Sequence, residues 1–174
     1  MKRTLAAVCC LAITSLPVLA QKKATAGKAM TDQQFVEFAA QTDMMEANLG
    51  QLAANAASAQ EVKDYAATLV TDHTTDYGQL STAAKQANIN VPNAIDAEHN
   101  RMLAPFQKLK GAAFDHKYAQ EMVAGHTKAL EAYKKEASDG QNDALKSYAQ
   151  TAIPVLEKHL TGAKDLQKAK SSAK

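Results

Sequence analysis

The sequence predicts an all-α protein, a four-helix bundle in which a long crossover with a short extra helix joins two helical hairpins. Apolar residues recur at three- and four-residue spacing through most of the chain, which is the pattern of amphipathic helices. Capping and turn residues divide this pattern into separate helices. No segment alternates apolar and polar residues as a half-buried strand does. The chain is therefore expected to form one helical domain, preceded by a leader.

Residues 1–20 have the features of a secretory signal peptide. Lys2 and Arg3 form a short basic start. The apolar run that follows ends with Val18 and Ala20, which stand where a signal-peptide cleavage site requires small residues. The run is too short for a comfortable transmembrane helix, which needs about 20 residues, and this disfavours the alternative of a membrane anchor. We expect an exported protein, in the periplasm, free or peripheral to the envelope, with no transmembrane segment after cleavage.

The mature chain, from Gln21 onward, keeps 154 of the 174 residues, enough for one domain with a core. It has no cysteine, because Cys9 and Cys10 lie in the leader, and this excludes thiolate nucleophiles, iron–sulfur clusters and cysteine-ligated zinc. Without Lys2 and Arg3 it carries 18 basic and 18 acidic residues. No basic stripe with interleaved aromatics remains, so nucleic acid is not an expected partner. A homodimer and an envelope protein partner both stay open.

Two capping signals mark where the first two helices begin. Thr31 with Gln34, and Ser58 with Glu61, have the spacing of a capping box, in which a hydroxyl and a side-chain acceptor satisfy free backbone N–H groups reciprocally. The second helix is predicted to end before Pro92, because proline lacks an N–H and forces the residue before it toward extended geometry. The predicted ranges of these helices are 32–57 and 60–87.

The second half of the chain predicts a short helix and another long pair. Gly111 separates the short helix from the third long helix, and Asp139 with Gly140 supplies the turn before the fourth. The predicted ranges are 96–109, 112–138 and 142–169.

The lengths of the connections predict how the long helices are joined. The first and last pairs are separated by only a few residues, so each is expected to be an antiparallel hairpin. Residues 88–111 can span a bundle about 40 Å long, at about 1.5 Å per helical residue and 3.3 Å per extended residue. A long crossover between hairpins is the ferritin-like arrangement, and a simple up-and-down bundle with an added helix is the alternative. The predicted division is a signal peptide (1–20), a polar linker (21–30), the bundle domain (31–170) and a tail (171–174).

Three of the five histidines occupy inward positions of the predicted helices, each on a different long helix. The remaining long helix offers a glutamate at the edge of its apolar stripe, and all four side chains lie near mid-helix. Neutral imidazoles and carboxylates that project from facing helices are how bundles build transition-metal sites. We therefore predict one site for a zinc, copper or iron ion. Its predicted ligands are Glu46, His73, His126 and His159.

Further side chains are expected beside this site. Asp72 adjoins one of the histidines, and it, Asp115 and Tyr118 are candidates for an added ligand or for an acceptor that fixes an imidazole tautomer. The alternative interpretation is that the inward histidines are core residues bonded to tyrosine hydroxyls or backbone, the commoner role of a single buried histidine. His99 and His116 lie off the inward stripes and are expected at the surface.

Several short stretches carry a resemblance to a known family. They are Leu49 to Ala53, Asp72 with His73, Gly111 to Asp115 with Tyr118, Gly125 with His126, and Pro154 followed by His159. From about Phe35 to Leu166 the chain resembles the bacterial domain-of-unknown-function family numbered 4142. The resemblance implies an exported outer-membrane or periplasmic protein with a ferritin-like fold, and it carries over no catalytic residue.

The di-iron signature of ferritin-like enzymes is absent, because the positions three before the inward histidines are Val70, Val123 and Leu156 rather than glutamates. The sequence also has no glycine-rich phosphate loop, nucleophile elbow or His-Glu-x-x-His motif. Enzymatic activity is therefore not expected. Two functions stay open: a non-catalytic bundle with a stress- or envelope-related role, and a transition-metal-binding protein with one histidine-rich core site.

Overall fold

The computed structural model describes residues 30–172, so the predicted signal peptide and all but the last residue of the predicted linker lie outside the described residues. Within that range every regular secondary-structure element is an α-helix, and the all-α prediction is confirmed. No described helix combines the length and the apolarity needed to cross a membrane. The helices are α1 (Asp32–Ala56), α2 (Gln60–Gln86), α3 (Ala97–Gln107), α4 (Gly111–Asp139) and α5 (Asp143–Ser172).

Of the two predicted capping boxes, one forms and the other does not. Thr31 caps α1, since its Oγ1 accepts a hydrogen bond from the Gln34 N–H at 3.3 Å and its own N–H donates to Gln34 Oε1 at 3.0 Å. The box predicted for Ser58 and Glu61 is wrong. The N-cap of α2 is Ala59, which has no side chain to cap the helix.

A carboxylate from another helix replaces that second cap. Asp115, in the first turns of α4, accepts hydrogen bonds from the Ser58 hydroxyl at 2.6 Å and from the backbone N–H groups of Ser58 and Ala59 at 3.0 Å each. A charged acceptor makes stronger hydrogen bonds than a neutral one, so the Ser58 hydroxyl donates to Asp115 instead of capping its own helix. The contact fixes the start of α4 beside the turn between α1 and α2.

The connection from α2 to α4 therefore crosses the length of the bundle. It leaves the far end of α2 at Asn88, whose left-handed φ of 57° is a common helix ending, and it arrives near Ser58 at the opposite end. On the way, the side-chain amide of Gln41 in α1 donates to the Ala94 carbonyl and accepts from the Asp96 N–H, both at 3.0 Å. The predicted long crossover with its short helix, α3, is confirmed.

Each long helix packs against two others. α1 pairs with α2, and α4 with α5, as hairpins, while α2 also contacts α5, α1 contacts α4, and α3 lies against α1 and α4. Two apolar clusters fill the interior: the first includes Leu69 and Met122, and the second, toward the other end, includes Leu80 and Ala129. A layer of buried polar side chains separates them. Its buried members are Asp43, Glu46, His73, His126 and His159.

Candidate metal centre

Three buried histidines meet in the polar layer between the two apolar clusters. His73 of α2, His126 of α4 and His159 of α5 are 2%, 1% and 5% exposed. One ligand nitrogen from each ring lies within 4.8 Å of those of the other two. The structure thus brings together all three histidines that helical spacing predicts to face inward.

The ring spacing agrees with imidazoles arranged around one ion. The ring centres are 5.7 Å apart for His73 and His126, 5.3 Å for His73 and His159, and 5.2 Å for His126 and His159. Imidazole nitrogens about 2.0–2.1 Å from one metal ion place their ring centres roughly 3.2 Å from it and about 5.2–5.5 Å from one another. The spacing of the three ring centres is therefore compatible with one shared ion.

In two of the histidines, Nδ1 is bonded to the protein and Nε2 is left free. His126 Nδ1 lies 2.9 Å from the Met122 backbone carbonyl, which can only accept, so the Nδ1–H of His126 donates. His73 Nδ1 lies 2.8 Å from Asp43 Oδ1, and we assign His73 the same Nδ1–H tautomer, with Asp43 as the acceptor. An acceptor behind a metal-binding imidazole fixes its tautomer and makes the other nitrogen more basic. The Nε2 atoms of both rings are buried and have no hydrogen-bond partner among the described residues.

His159 follows the same pattern with its two nitrogens exchanged. Its Nε2 lies 2.8 Å from Asp72 Oδ2, to which it donates, and its Nδ1 is buried without a partner among the described residues. Asp72 is thus an acceptor behind an imidazole, but its partner lies on α5 and is not the adjacent His73. The Asp72 side chain is 39% exposed, so the site approaches solvent between α2 and α5.

Burial keeps at least two of these imidazoles uncharged at neutral pH. It lowers the pKa of His126 to about 3, and the neighbouring His73 and His159 add to the shift. Burial also lowers the pKa of His159, although the hydrogen bond to Asp72 acts in the opposite direction. A neutral imidazole has a lone pair on its unprotonated nitrogen, so these rings can bind a metal ion without first losing a proton.

Glu46 lies beside the three-histidine group and is not part of it. Its Oε1 is 3.9 Å from Nδ1 of His126, the nitrogen that already donates to the backbone. Gly125 leaves room beside the carboxyl, since a Cβ at this position would stand 3.2 Å from Glu46 Oε1, closer than an ordinary contact. Burial raises the pKa of Glu46 to about 7. Its role as a fourth ligand stays a prediction.

Two further side chains predicted near the site lie at a different level of the bundle. Asp115 and Tyr118 precede His126 by 11 and 8 positions on α4, which corresponds to about 16 and 12 Å along the helix axis. The carboxylate of Asp115 caps α2 instead of orienting an imidazole. The ring of Tyr118 stacks on Phe114, with 5.6 Å between ring centres. Among the predicted neighbours, only Asp72 is hydrogen-bonded to a histidine of the group in the described contacts.

Asp43 is the site residue that sequence reasoning misses. It is 2% exposed and supplies the acceptor behind His73. Asp43 lies three residues before Glu46, and residues three apart in a helix share a face. That spacing is the signal that could have found it, because an inward Glu46 brings Asp43 inward with it.

Comparison with known proteins adds a family and a shared fold. The chain matches the profile of the family described as Domain of unknown function (DUF4142) over residues 17–166. No curated protein matches the sequence. CopM in the Cu(II)-bound form is 17% identical, with a TM-score of 0.67 over 82% of this chain and 99% of that chain. CopM in the Cu(I)-bound form is 15% identical, with a TM-score of 0.66 over 80% and 97% of the two chains. At these identities the likeness shows a common fold.

Proposed function

We propose that this chain, which belongs to the domain-of-unknown-function family DUF4142, is a transition-metal-binding protein that holds one ion through His73, His126 and His159. The observation that carries the proposal is the set of three buried ring nitrogens, one on each histidine, that lack a hydrogen-bond partner among the described residues. Each ring is held from behind by an acceptor, so the three free nitrogens form a site that is largely prepared before the ion arrives.

A purely structural role for these histidines accounts for the geometry less well. Core histidines normally have their buried nitrogens hydrogen-bonded. An unpaired buried polar atom costs about 1–3 kcal/mol, and here three of them gather at one level between two apolar clusters. One bound ion would satisfy all three nitrogens at once. This comparison favours metal binding over the interpretation that the histidines only fill the core.

Copper is the ion that we propose, with zinc as its main competitor. Three imidazole nitrogens suit copper, zinc, iron and nickel, whereas magnesium and calcium take oxygen ligands. Among divalent first-row ions, a nitrogen site binds Cu²⁺ most tightly, and three histidines also hold zinc in known sites. CopM, which shares the fold, has Cu(I)-bound and Cu(II)-bound forms. These points together support copper for this chain.

We place this binding after export from the cytoplasm, in the periplasm. Residues 1–20 have the basic start and apolar run of a signal peptide, and cleavage before Gln21 leaves the bundle domain complete. The mature chain has no cysteine thiolate, so its histidine nitrogens are the ligands best suited to a borderline ion such as Cu²⁺ or Zn²⁺. The role is metal binding without a catalysed reaction.

The test is metal titration of the mature protein, residues 21–174, prepared free of metal. Calorimetric titration with Cu²⁺ and Zn²⁺, and anaerobic competition against a Cu(I) chelator, are expected to give one equivalent per chain. A variant with His73→Ala, His126→Ala and His159→Ala is expected to lose that equivalent. The matched control carries His99→Ala and His116→Ala, which remove two histidines outside the group, and it is expected to keep the equivalent.

Binding that survives in the triple variant, or that disappears in the control, would contradict the proposal. Three alanines leave a cavity in the core, so circular dichroism must show that the triple variant folds. A single His126→Gln variant, which nearly keeps the side-chain volume, gives the same test with less disturbance. It is expected to fold and to bind copper much more weakly than the wild type.

A further inference from the structure

The three-histidine group comes close to solvent along the seam between α2 and α5. On the side of α1 and α4, Glu46 and His126 are only 5% and 1% exposed. On the side of α2 and α5, the partly exposed Asp72 is hydrogen-bonded to His159. Val155, one helical turn before His159 and on the same face of α5, is 39% exposed. Only a thin layer of side chains therefore separates the site from solvent at this seam.

A small cavity in this seam reaches two of the three histidines. Its walls include Asp72 and His73 from α2, and Val155 and His159 from α5. Its volume is about 10 Å³, close to the smallest space that can hold one water molecule. A metal ion with its shell of water molecules is much larger than this. The seam is therefore a closed passage, and an ion can pass only after side chains have moved.

Two side chains close the passage, and both can move at low cost. The carboxylate of Asp72 accepts from His159 Nε2 at 2.8 Å, and this hydrogen bond crosses the seam. Because Asp72 is partly exposed, water can replace its partner when the bond breaks. Val155 covers the cavity from α5, and its exposed position means that it loses few packing contacts when it shifts.

The backbone of α5 lacks one hydrogen bond beside the passage. Pro154 lies inside the helix and has no N–H, so the Gln150 carbonyl loses its usual helical donor. Beyond the passage, the hydroxyl of Tyr65 on α2 donates to the His159 carbonyl at 2.9 Å and ties the two helices together. The turn that carries Val155 can therefore shift while the helix after His159 stays in place.

We propose that the metal ion enters and leaves the three-histidine site between α2 and α5, through a port formed by Asp72, Val155 and His159. The Asp72 carboxylate attracts the incoming cation, and Val155 limits the rate of passage. The role of the port in metal exchange rests on the proposed function above. Its effect on the accessibility of His159 concerns the metal-free protein and can be tested without any ion.

A residue that lines a path is distinguished from a ligand by its effect on rates. Val155 has no atom that binds a metal ion, so a change in its size alters the barrier to passage and leaves the free and bound states nearly unchanged. The dissociation constant is the ratio of the release rate to the binding rate. Both rates must therefore change by the same factor, whereas loss of a ligand mainly raises the release rate.

The first readout is the rate of copper binding and release in the mature protein. Its five tyrosines, in the absence of tryptophan, report Cu²⁺ by fluorescence quenching in a stopped-flow instrument, and excess chelator reports release. Val155→Phe is expected to slow both rates by about 10-fold, because the larger ring must be displaced from a packed passage. Val155→Ala is expected to accelerate both. The dissociation constant is expected to stay the same in each variant.

Thr127→Phe is the matched control for Val155→Phe. Threonine has nearly the size of valine, and Thr127 is an exposed residue of α4 next to His126. The control thus adds the same ring at the same level of the bundle, on a helix that does not line the port. It is expected to change neither rate.

The second readout is the dependence of the binding rate on charge and salt. Asp72→Asn removes the negative charge but keeps an oxygen that can accept from His159. It is expected to slow copper binding by roughly 3–10-fold at low ionic strength, and the difference is expected to shrink in 1 M salt. Asp64→Asn, the same change at an exposed position two turns earlier on α2, is the control. A binding rate that falls equally in both variants would contradict the role of Asp72.

The third readout uses the metal-free protein. Diethyl pyrocarbonate modifies unprotonated imidazole nitrogens, and mass spectrometry gives the rate for each histidine. His159 is expected to react faster than His73 and His126, because it lies at the port. Val155→Phe is expected to slow the reaction of His159 and to leave the two histidines outside the group unchanged.

Copper rates that are identical in the wild type, Val155→Phe and Val155→Ala would overturn the proposal, as would a Thr127→Phe control that slows both rates equally. A metal-free wild type in which His126 reacts as fast as His159 would also overturn it. The two substitutions at Val155 change its size in opposite directions at a partly exposed position, so one folded variant suffices. A wild type that binds no copper, while Val155→Phe still protects His159 from the reagent, would contradict the proposed function and support the passage itself.

Discussion

The ionisation of Glu46 is expected to make the free energy of unfolding depend on pH. Its side chain is 5% exposed, and burial raises its pKa from 4.5 to about 7. Between these two pH values the folded protein keeps a proton that the unfolded chain has lost, so stability falls as the pH rises through this window. At about 1.4 kcal/mol for each pKa unit, the loss amounts to roughly 3 kcal/mol once the pH exceeds the folded pKa. Glu46→Gln removes this titration and keeps the shape of the neutral side chain.

The assay is urea unfolding of the metal-free wild type and the Glu46→Gln variant across this pH range. The variant is expected to match the wild type near pH 4 and to exceed its free energy of unfolding by roughly 3 kcal/mol near pH 8. Glu37→Gln is the matched control, since it makes the same change at an exposed position of α1, and it is expected to change the free energy of unfolding by about 0.5 kcal/mol or less. A Glu46→Gln difference that is constant with pH would refute the reasoning, because Glu46 would then be ionised in the folded protein.

Three other predictions concern the rest of the molecule. Asp115→Ala is expected to lower the free energy of unfolding in urea by about 2–4 kcal/mol, because the start of α2 loses its acceptor, while copper titration gives an unchanged affinity. Copper at 100 times its dissociation constant is expected to stabilise the wild type by about 2.7 kcal/mol. In thermal melts a chelator should reverse this stabilisation, and the triple-histidine variant should not be stabilised by copper. The full chain expressed in a bacterium with a periplasm is expected to yield a periplasmic protein that begins at Gln21, and amino-terminal sequencing that finds Met1 would contradict this.

Helical spacing predicts which way a side chain points better than it predicts the atoms that the side chain contacts. The three-four pattern places His73, His126 and His159 on inward faces, and the structure brings them together. It cannot say which ring nitrogen is free. His159 keeps Nδ1 free and His73 keeps Nε2 free, because Asp72 and Asp43 approach their rings from other helices. Those contacts depend on the packing of whole helices, which local spacing does not encode.

The second capping box fails for a related reason. The spacing of Ser58 and Glu61 is as suitable as that of Thr31 and Gln34, so a local rule cannot separate the two cases. They differ because Asp115, 57 positions after Ser58, reaches the start of α2 and offers a charged acceptor. The long crossover places α4 at that end of the bundle. A local signal was therefore overridden by topology.

The layered core has a consequence for how metal binding and folding are related. In a zinc finger the ion supplies most of the stability, so the chain unfolds without it. Here two apolar clusters hold the four long helices on both sides of the polar layer, and buried apolar area stabilises a fold without any ion. We therefore expect the empty and loaded forms to share one fold. If the helices are already in place, metal binding is not coupled to folding of the backbone. The metal affinity then depends on how accurately the imidazole rings are oriented. The acceptors behind the rings, Asp43, Asp72 and the Met122 carbonyl, then determine affinity together with the histidines themselves.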